Sequence, residues 1–469
     1  MSEISIEQVK SDTNVLRAKI TCSPDLRMFF SGEDFLVEYD TSIDDVPDSI
    51  LVLPVLAQVC PVAWTQNADV RVPTVDSRFA ASLLDVRDTL MQLYPKFVLG
   101  GDLRYKELEE RNPAGEFEET GLLFTGGVDS TYSFIQHRDE DPALITIQGW
   151  TVVDVEFEKW NGLKGHVEAF GTDHGADNYF VRSNRHSLFN VGMLKAQCEP
   201  YVDGAWYSSV GHGVGLLGMC APLAYANGIG DLYMAATHWN GISLPWGSNP
   251  SIVENVAWAG TRCHHDGYEI TRQERLEAVA DYVREESPGL ELRTCNETVA
   301  ENCGDCEKCY RTAVGMFVAG LDPSDHGYPL DADSFDEIPR KFERREWPVG
   351  NDERIMWEDL QTRVSPDVND RYEEAQAFFD WMLTTDFSKY MYRPQGDVTT
   401  QLLQFAYRNA PDWTYDVMYP LYRYVKKRRR RQRLQEMPDG HAPGVSYSET
   451  AKDAEPSVSA TIPFITKER

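Results

Sequence analysis

The sequence predicts an α/β protein with a parallel sheet covered by helices on both faces. Segments typical of strands alternate with segments typical of helices from Gly121 onwards, as in sheets whose parallel strands are joined by crossover helices. Two adjacent glycines, Gly126 and Gly127, follow the first of these strands and precede a helix. Apolar residues make up 42% of the 469 residues, so a folded core can form.

The first region, residues 1–118, is expected to form a β-rich N-terminal domain. Short alternating or β-branched segments bounded by turn residues, such as FLVEY, predict strands there. A segment with apolar residues at helical spacing follows, and Ser77 is its expected N-cap. The polar segment RNPAGEFEE contains Pro and Gly, which favours a domain boundary at its end.

Residues 119–330 carry the alternating pattern and are expected to form the central domain. The segment GLLF predicts a buried strand, and a helix is expected to start near Ser130. Thr271 and Glu274 have the spacing of a capping box, which predicts the start of another helix. Further strands are predicted at ALITIQGW, DNYFVRSN, DLYMAATHW and LELRTC, and a further apolar helix at GLLGMCAPLAYANG.

The strand pattern fades beyond about residue 330. Residues 331–435 contain several segments with helical periodicity, so we expect a helical C-terminal region. Residues 436–469 are rich in Pro, Ser, Gly and charge, which predicts a disordered tail.

The net charge of −30 limits which macromolecules the protein is expected to bind. Such a field repels nucleic acid unless a basic patch is set apart from it. The run from Lys426 to Arg431 is basic, so RNA contact stays open, but no interleaved aromatic residues favour base stacking. No apolar stretch approaches the roughly 18–20 residues of a membrane span, and the polar N-terminus does not resemble a signal peptide. We therefore expect a cytoplasmic protein without a membrane partner.

The segment Thr125–Ser130, here called the phosphate loop, is the best placed motif for chemistry. Paired glycines let the backbone turn sharply and present bare N–H groups to an anion. The helix that follows adds the positive end of its dipole. The hydroxyls of Thr125 and Ser130 can donate as well, and Asp129 suits a Mg²⁺ ion carried by phosphates. A glycine turn capped by Asp129, with no ligand, is the alternative.

The phosphate loop lacks the lysine and spacing of a Walker A motif. It resembles the S-G-G-x-D-S signature of the PP-loop ATP pyrophosphatases, with Thr125 in place of the first serine. The resemblance implies an adenine nucleotide alpha hydrolase-like fold and the release of pyrophosphate from ATP. It also implies ATP binding by Thr125, Gly126, Gly127, Val128, Asp129 and Ser130, with Asp129 and Ser130 as catalytic residues and Mg²⁺ as cofactor.

Four cysteines lie within fifteen residues, which favours a metal site. Two C-x-x-C steps bring thiolates to one ion, and four thiolates without an open position are typical of structural Zn²⁺. An iron–sulfur cluster is the second interpretation. The predicted ligands are Cys295, Cys303, Cys306 and Cys309.

This cysteine spacing, with Arg311 just after the last cysteine, resembles the zinc site of the 7-cyano-7-deazaguanine synthases. These PP-loop enzymes of queuosine biosynthesis convert a deazaguanine carboxylate to a nitrile with ATP and ammonia. The likeness covers about residues 119–320 and includes the order of the two motifs.

The chain departs from that family around the substrate. His212 stands where the family has an arginine near the nucleotide, and contact with phosphate is expected there, with an ordinary loop histidine as the alternative. Gly149-Trp150-Thr151 replaces a Tyr-Gly-Gln-Arg-His element, and Pro245–Ser251 replaces an Asp-Cys-Arg stretch. Trp246, Ser248 and Asn249 are candidates for a different substrate pocket, although a surface turn is favoured.

Two further motifs have structural interpretations. Gly213, Gly215 and Gly218 match G-x-G-x-x-G, but they do not follow a convincing strand, so we expect close helix packing rather than dinucleotide binding. Cys263-His264-His265-Asp266 holds metal-ligating types, but adjacent residues rarely all face one ion. A polar loop is favoured over a second metal site.

The sequence thus predicts a ligase that adenylates a small-molecule carboxylate or amide before attack by ammonia or another nucleophile. Thiolation or amidation of tRNA or protein by a PP-loop enzyme is one alternative. A non-catalytic nucleotide-binding module is another. Oligomerisation stays open.

Overall fold

The computed structural model describes residues 2–391, apart from 112–116, 151, 203–204, 243, 299–300 and 365–374, together with Phe405, Tyr424 and Arg428. The predicted tail at 436–469 and, apart from Arg428, the basic run lie outside the described residues. Eleven strands form one mixed, mostly parallel sheet in the order β10-β11-β9-β6-β7-β8-β3-β2-β1-β4-β5. Helices accompany this sheet, so the predicted α/β class is confirmed.

Five parallel strands form the part of the sheet that carries the phosphate loop. The chain runs from β6 outwards to β7 and β8, and then returns to place β9 on the other side of β6. The order therefore reverses between β6 and β9, which is where doubly wound sheets bind ligands at their carboxyl ends. The strands are β6 (Glu119–Leu123), β7 (Ala143–Gln148), β8 (Asn178–Ser183), β9 (Ile229–Ala235), β11 (Thr261–Asp266) and the short antiparallel edge strand β10 (Ala257–Trp258).

One strand prediction and one loop prediction in this region were wrong. The segment LELRTC forms no strand, because the backbone N–H of Arg293 bonds instead to Gly126 O in the phosphate loop at 2.8 Å. The segment predicted as a polar loop at Cys263–Asp266 belongs to strand β11, which pairs with β9. Its polar side chains hid the strand pattern.

The N-terminal strands extend the same sheet across the boundary predicted near residue 118. Strand β3 pairs antiparallel with β8, so Val37 lies opposite Ser183. The region also contains three helices, among them the almost wholly buried α2. Its strands are β1 (Glu3–Asp12), β2 (Val15–Cys22), β3 (Phe35–Tyr39), β4 (Asp69–Asp76) and β5 (Leu103–Glu109), and its helices are α1 (Asp48–Leu51), α2 (Leu53–Thr65) and α3 (Ser77–Leu93).

Adjacent strand residues enter different hydrophobic cores, so both faces of the sheet are covered. Leu144 joins one core and Ile145 the other, and the same holds for Phe180 and Val181. Successive side chains of a strand point to opposite faces. The helices of the central region are α4 (Val128–His137), α5 (Phe157–His174), α6 (Arg185–Leu188), α7 (Val191–Cys198), α8 (His212–Ala226), α9 (Pro250–Val253), α10 (Arg272–Glu285) and α11 (Glu307–Val318).

The expected close packing at the G-x-G-x-x-G motif is confirmed. The motif lies within α8, and a Cβ on Gly218 would stand 2.4 Å from Ala57 Cβ of α2. A Cβ on Gly213 would stand 2.6 Å from Gly247 O. The glycines therefore let α8 approach its neighbours closely.

The predicted helical C-terminal region is confirmed as far as the structure describes it. Its helices bury Phe342, Trp357 and Phe378 against the core that contains α4, α5, α10 and α11. They are α12 (Glu337–Glu343), α13 (Asn351–Arg363) and α14 (Gln376–Thr384).

Candidate functional site

The phosphate loop turns from the carboxyl end of β6 into α4, and hydrogen bonds fix its shape. Gly126 has a φ of +70°, which favours glycine, and Gly127 is the N-cap residue of α4. The Ser130 hydroxyl donates to Gly127 O at 3.3 Å and accepts from the backbone N–H of Thr125 at 3.4 Å. The predicted role of Ser130 as a phosphate donor therefore competes with a role in holding the loop.

The ring of His166 lies directly against Gly126. A Cβ on Gly126 would stand 2.2 Å from His166 Nε2, so a side chain at this position would meet the ring. Burial lowers the pKa of His166 to about 4, with a further contribution from the positive charge of Arg293. The loop thus rests on a neutral imidazole at pH 7.

Asp129 is held by two arginines of α10. Arg275 Nη1 donates to Asp129 Oδ1 at 2.7 Å, and Arg272 Nη1 donates to Oδ2. The Arg275 side chain is 0% exposed and also donates to the backbone carbonyls of Gly267 and His238. Burial opposes ionisation of Asp129, but the two guanidinium charges outweigh it and lower the pKa of the carboxyl group.

The phosphate loop opens into a cleft of about 270 Å³, here called the phosphate cleft. All predicted nucleotide-binding residues except Gly126 line it, including Val128 and His212. Four cationic residues line it as well, whereas Asp129 is its only acidic lining residue among those described. A positive cleft in a chain of net charge −30 favours an anionic ligand. The four cations are Lys159, Arg272, Arg293 and Lys308.

The four cysteines come together as predicted. Their sulfur atoms all lie within 4.8 Å of one another, and Cys303 Sγ and Cys309 Sγ are 3.8 Å apart. The backbone N–H of Cys306 donates to Cys303 Sγ at 3.3 Å, and Gly304 takes a φ of +63° in the turn between them. These four thiols could hold a metal ion such as zinc in a closed structural site. An iron–sulfur cluster is not distinguished from zinc by this geometry.

The cysteine cluster forms part of the cleft wall. Cys295 and Thr294 line the cleft directly. Lys308, between Cys306 and Cys309 in the chain, lines it from the start of α11. The residues that could hold the metal therefore also position a cation of the phosphate cleft.

His212 occupies the cleft but cannot replace an arginine electrostatically. Burial and, to a smaller extent, the neighbouring charge of Arg185 lower its pKa to about 4. Its Nδ1 lies 3.1 Å from Ser248 Oγ. His212 is therefore neutral at pH 7 and offers a hydrogen bond rather than a charge.

Trp246, Ser248 and Asn249, the candidates for a substrate pocket, make different contacts in the structure. Ser248 contacts His212, and the Asn249 side chain caps the short helix α9 by accepting from Ser251 N. The three residues do line one cavity, but its volume of about 10 Å³ is too small for a substrate. Trp246 also lines a second, larger cavity, together with Trp150 from the segment that departs from the family.

The second metal site considered at Cys263–Asp266 does not form. Side chains alternate across strand β11, so Cys263 and His265 point away from His264 and Asp266. His264 Nε2 pairs with Asp231 at 2.6 Å. Among the residues that the structure describes, the four cysteines are the group of potential metal ligands that comes together.

Several residues of the cleft were missed by sequence reasoning. Arg272 and Arg275 lie three apart in the first turn of α10, directly after the capping residue Thr271. Two arginines at that spacing share a helix face and could have been recognised as partners for Asp129. Lys308 was hidden between two cysteines, and no sequence pattern marks Arg293.

No family model, curated protein or solved structure matches this chain. The functional assignment therefore rests on the arrangement of its own residues. None of the described helices has both the length and the apolar character of a membrane span.

Proposed function

We propose that this chain is an ATP-dependent ligase of the PP-loop type, which releases pyrophosphate and forms an acyl-adenylate. One observation carries the proposal. The glycine loop lies at the carboxyl end of β6, beside the reversal of strand order, and faces a cleft with four cations in an acidic protein. Such a position favours the phosphates of a nucleotide.

The cations supply the charge that a departing pyrophosphate requires. Arg272 and Arg293 can each present a planar fork to phosphate oxygens, and Lys308 adds a compact charge. The N-terminus of α4 adds backbone N–H donors from the loop. These groups are positioned before the ligand arrives, so little reorganisation accompanies the charge movement.

In this proposal Asp129 has a different task from the predicted binding of Mg²⁺. Both of its carboxylate oxygens accept hydrogen bonds from guanidinium groups, so this arrangement does not fit a metal ligand. Asp129 instead fixes the direction of Arg272, which makes it a positioning residue.

The acceptor in this proposal is a small-molecule carboxylate, and ammonia is the expected nucleophile. Both follow from the resemblance to the 7-cyano-7-deazaguanine synthases. A carboxylate oxygen would attack the α-phosphorus as the bond to pyrophosphate breaks. The nitrogen nucleophile would then attack the acyl carbon and displace AMP. The proposal assigns no covalent nucleophile, and positioning and charge stabilisation account for the chemistry.

The test compares the wild-type protein with Arg272→Gln and with the matched control Arg284→Gln. Arg284 belongs to the same helix but has an exposed side chain that pairs with Asp281. Pyrophosphate binding is measured by calorimetry, and AMP by chromatography after incubation with Mg·ATP, ammonium and 7-carboxy-7-deazaguanine. We expect Arg272→Gln to lower AMP formation by about 100- to 1,000-fold, as for a lost transition-state donor.

The outcomes separate the parts of the proposal. ADP in place of AMP would contradict the pyrophosphatase assignment. Pyrophosphate binding that is equal in Arg272→Gln and Arg284→Gln would contradict the phosphate cleft. Arg272-dependent pyrophosphate binding without AMP from this acid would exclude that acid as acceptor and leave the cleft in place.

A further inference from the structure

A second cavity, of about 360 Å³, adjoins the phosphate cleft. Trp150 and His212 line both cavities, so these two residues form the boundary between them. The volume falls within the range of small-molecule sites. The cavity is here called the aromatic pocket because five aromatic side chains line it: Trp150, Phe189, Trp206, Tyr207 and Trp246.

A buried arginine lies in the wall of the aromatic pocket. Arg185 is 6% exposed, and its guanidinium carbon stands 3.7 Å from the centre of the Tyr207 ring and 5.3 Å from that of Trp150. Its Nε donates to Gln58 Oε1 at 3.3 Å. In the described part of the chain no carboxylate lies within ion-pair distance of this guanidinium group.

Four polar atoms of the pocket residues are buried and have no hydrogen-bond partner among the described residues. They are the indole nitrogens of Trp150, Trp206 and Trp246 and the hydroxyl of Tyr207. The Trp206 side chain is almost entirely enclosed, with 4% of its surface exposed. An indole N–H can only donate, so each of these indoles lacks an acceptor. Buried donors without acceptors are costly and are uncommon in native proteins.

We propose that the aromatic pocket binds a flat aromatic carboxylate, with its negative group on Arg185. Among the described residues, the buried cation has no carboxylate partner, the indole donors have no acceptors, and the ring walls favour a flat body. The described lining of the pocket contains no acidic side chain, which favours an anionic ligand. A flat anion would place its negative charge on the guanidinium group of Arg185 and its ring between the aromatic walls.

The position of Arg185 places the bound carboxylate beside the phosphate cleft. Trp150 stacks over the guanidinium group and also lines the cleft. That this ligand is the acceptor to be adenylated rests on the proposed function. That it binds in the pocket does not, because binding requires no nucleotide.

The experiment measures the binding of acids and of their matched neutral amides without ATP. The probes are 2-naphthoate, indole-3-carboxylate and quinoline-2-carboxylate, each titrated by calorimetry beside its amide. We expect at least one acid to bind about tenfold or more tightly than its amide, as for a charge-assisted bidentate contact. Arg185→Met should abolish that preference. Lys195→Met, which removes an exposed cation from the pocket wall, should retain it.

Two further variants keep the result interpretable. Arg185→Lys retains a charge but loses the planar fork, so it should keep only part of the preference even if Arg185→Met folds poorly. Trp206→Phe removes one unpartnered donor while keeping an aromatic ring, so it should weaken the binding of acids and of amides to the same extent. Equal binding of every acid and its amide, or no binding by any probe, would overturn the proposal. So would a preference that is lost in Lys195→Met and kept in Arg185→Met.

Discussion

The two adjoining cavities hold their arginines in different ways. In the phosphate cleft, Arg272 is directed by the carboxylate of Asp129, whose other oxygen is taken by Arg275. In the aromatic pocket, Arg185 is enclosed by aromatic rings and bonds to the amide of Gln58. An ion pair fixes direction but cancels part of the charge. Stacked rings fix position and leave the whole charge for a ligand.

The largest expected effect comes from breaking the ion pairs of the phosphate cleft. Asp129→Ala leaves the wholly enclosed Arg275 without its carboxylate, so the free energy of unfolding should fall by about 3–5 kcal/mol. Arg185→Met removes a cation that has no carboxylate partner in the described part of the chain and replaces it with an apolar side chain. Its stability should equal that of the wild type within about 1 kcal/mol, or exceed it. Urea denaturation measures both.

The exposed pair of Asp281 and Arg284 provides the control for this difference. Asp281→Ala should change the free energy of unfolding by less than about 1 kcal/mol. If Arg185→Met lowered the free energy of unfolding as much as Asp129→Ala does, the two cavities would not differ in how they hold their arginines. Asp129→Ala is also a poor control for activity, because lost activity could reflect lost structure.

The next effect concerns the contact between the phosphate loop and His166. Gly126→Ala places a side chain at a φ of +70° and against the imidazole. It should therefore lower the free energy of unfolding by about 2–4 kcal/mol. Gly126→Ala with His166→Ala relieves the collision and should recover part of that loss. Gly165→Ala is the matched control, since it lies in α5 with open space around its Cβ position. It should stabilise the protein by up to about 1 kcal/mol, measured by thermal denaturation.

The smallest effect concerns the histidine that the two cavities share. His166, His212 and His265 each have a pKa lowered to about 4, mainly by burial. The unfolded state binds their protons near pH 6.5, so stability should fall as pH decreases from about 6.5 to 4. Each histidine contributes at most about 1.4 kcal/mol per pH unit. His212→Asn should reduce this slope in urea denaturation measured across that range.

His137 has the opposite effect on the pH dependence of stability. Burial favours its neutral ring, but the carboxylates of Asp266 and Glu140 outweigh burial and raise its pKa. Its contribution to stability is present below the unfolded pKa and is lost as pH rises through the folded one. His137→Asn should therefore remove the gain in stability that the wild type shows as pH falls towards about 6.5, measured by urea denaturation above that pH. A gain of the same size in this variant would contradict the assignment.

The sequence predicted the elements whose local signals agree with their surroundings. The glycine loop after GLLF, the capping box at Thr271 and the cysteine spacing each depend on residues close together in the chain. The strand at Thr261–Asp266 was missed because its His and Asp side chains are polar, although it pairs with β9 inside the sheet. Tertiary pairing outweighed the local pattern there.

The chemistry of the cavities was harder to predict than the fold. Arg272 and Asp129 are 143 positions apart in the chain, and Arg185 meets Gln58 across 127. No spacing rule reaches over such distances. The aromatic pocket in particular combines Trp150, Tyr207 and Trp246 from three separate segments, and only the folded chain brings them together.

The pairing of β3 with β8 also constrains the order of events during synthesis. The first three strands can form antiparallel hairpins early, because β1, β2 and β3 are neighbours in the chain. The outer edge of β3 has no partner until Ser183 has left the ribosome, since Val37 pairs with it. An unpaired edge of this kind is a template for association with other chains. The growing polypeptide therefore exposes this edge of its N-terminal sheet while the residues between β3 and β8 are synthesised.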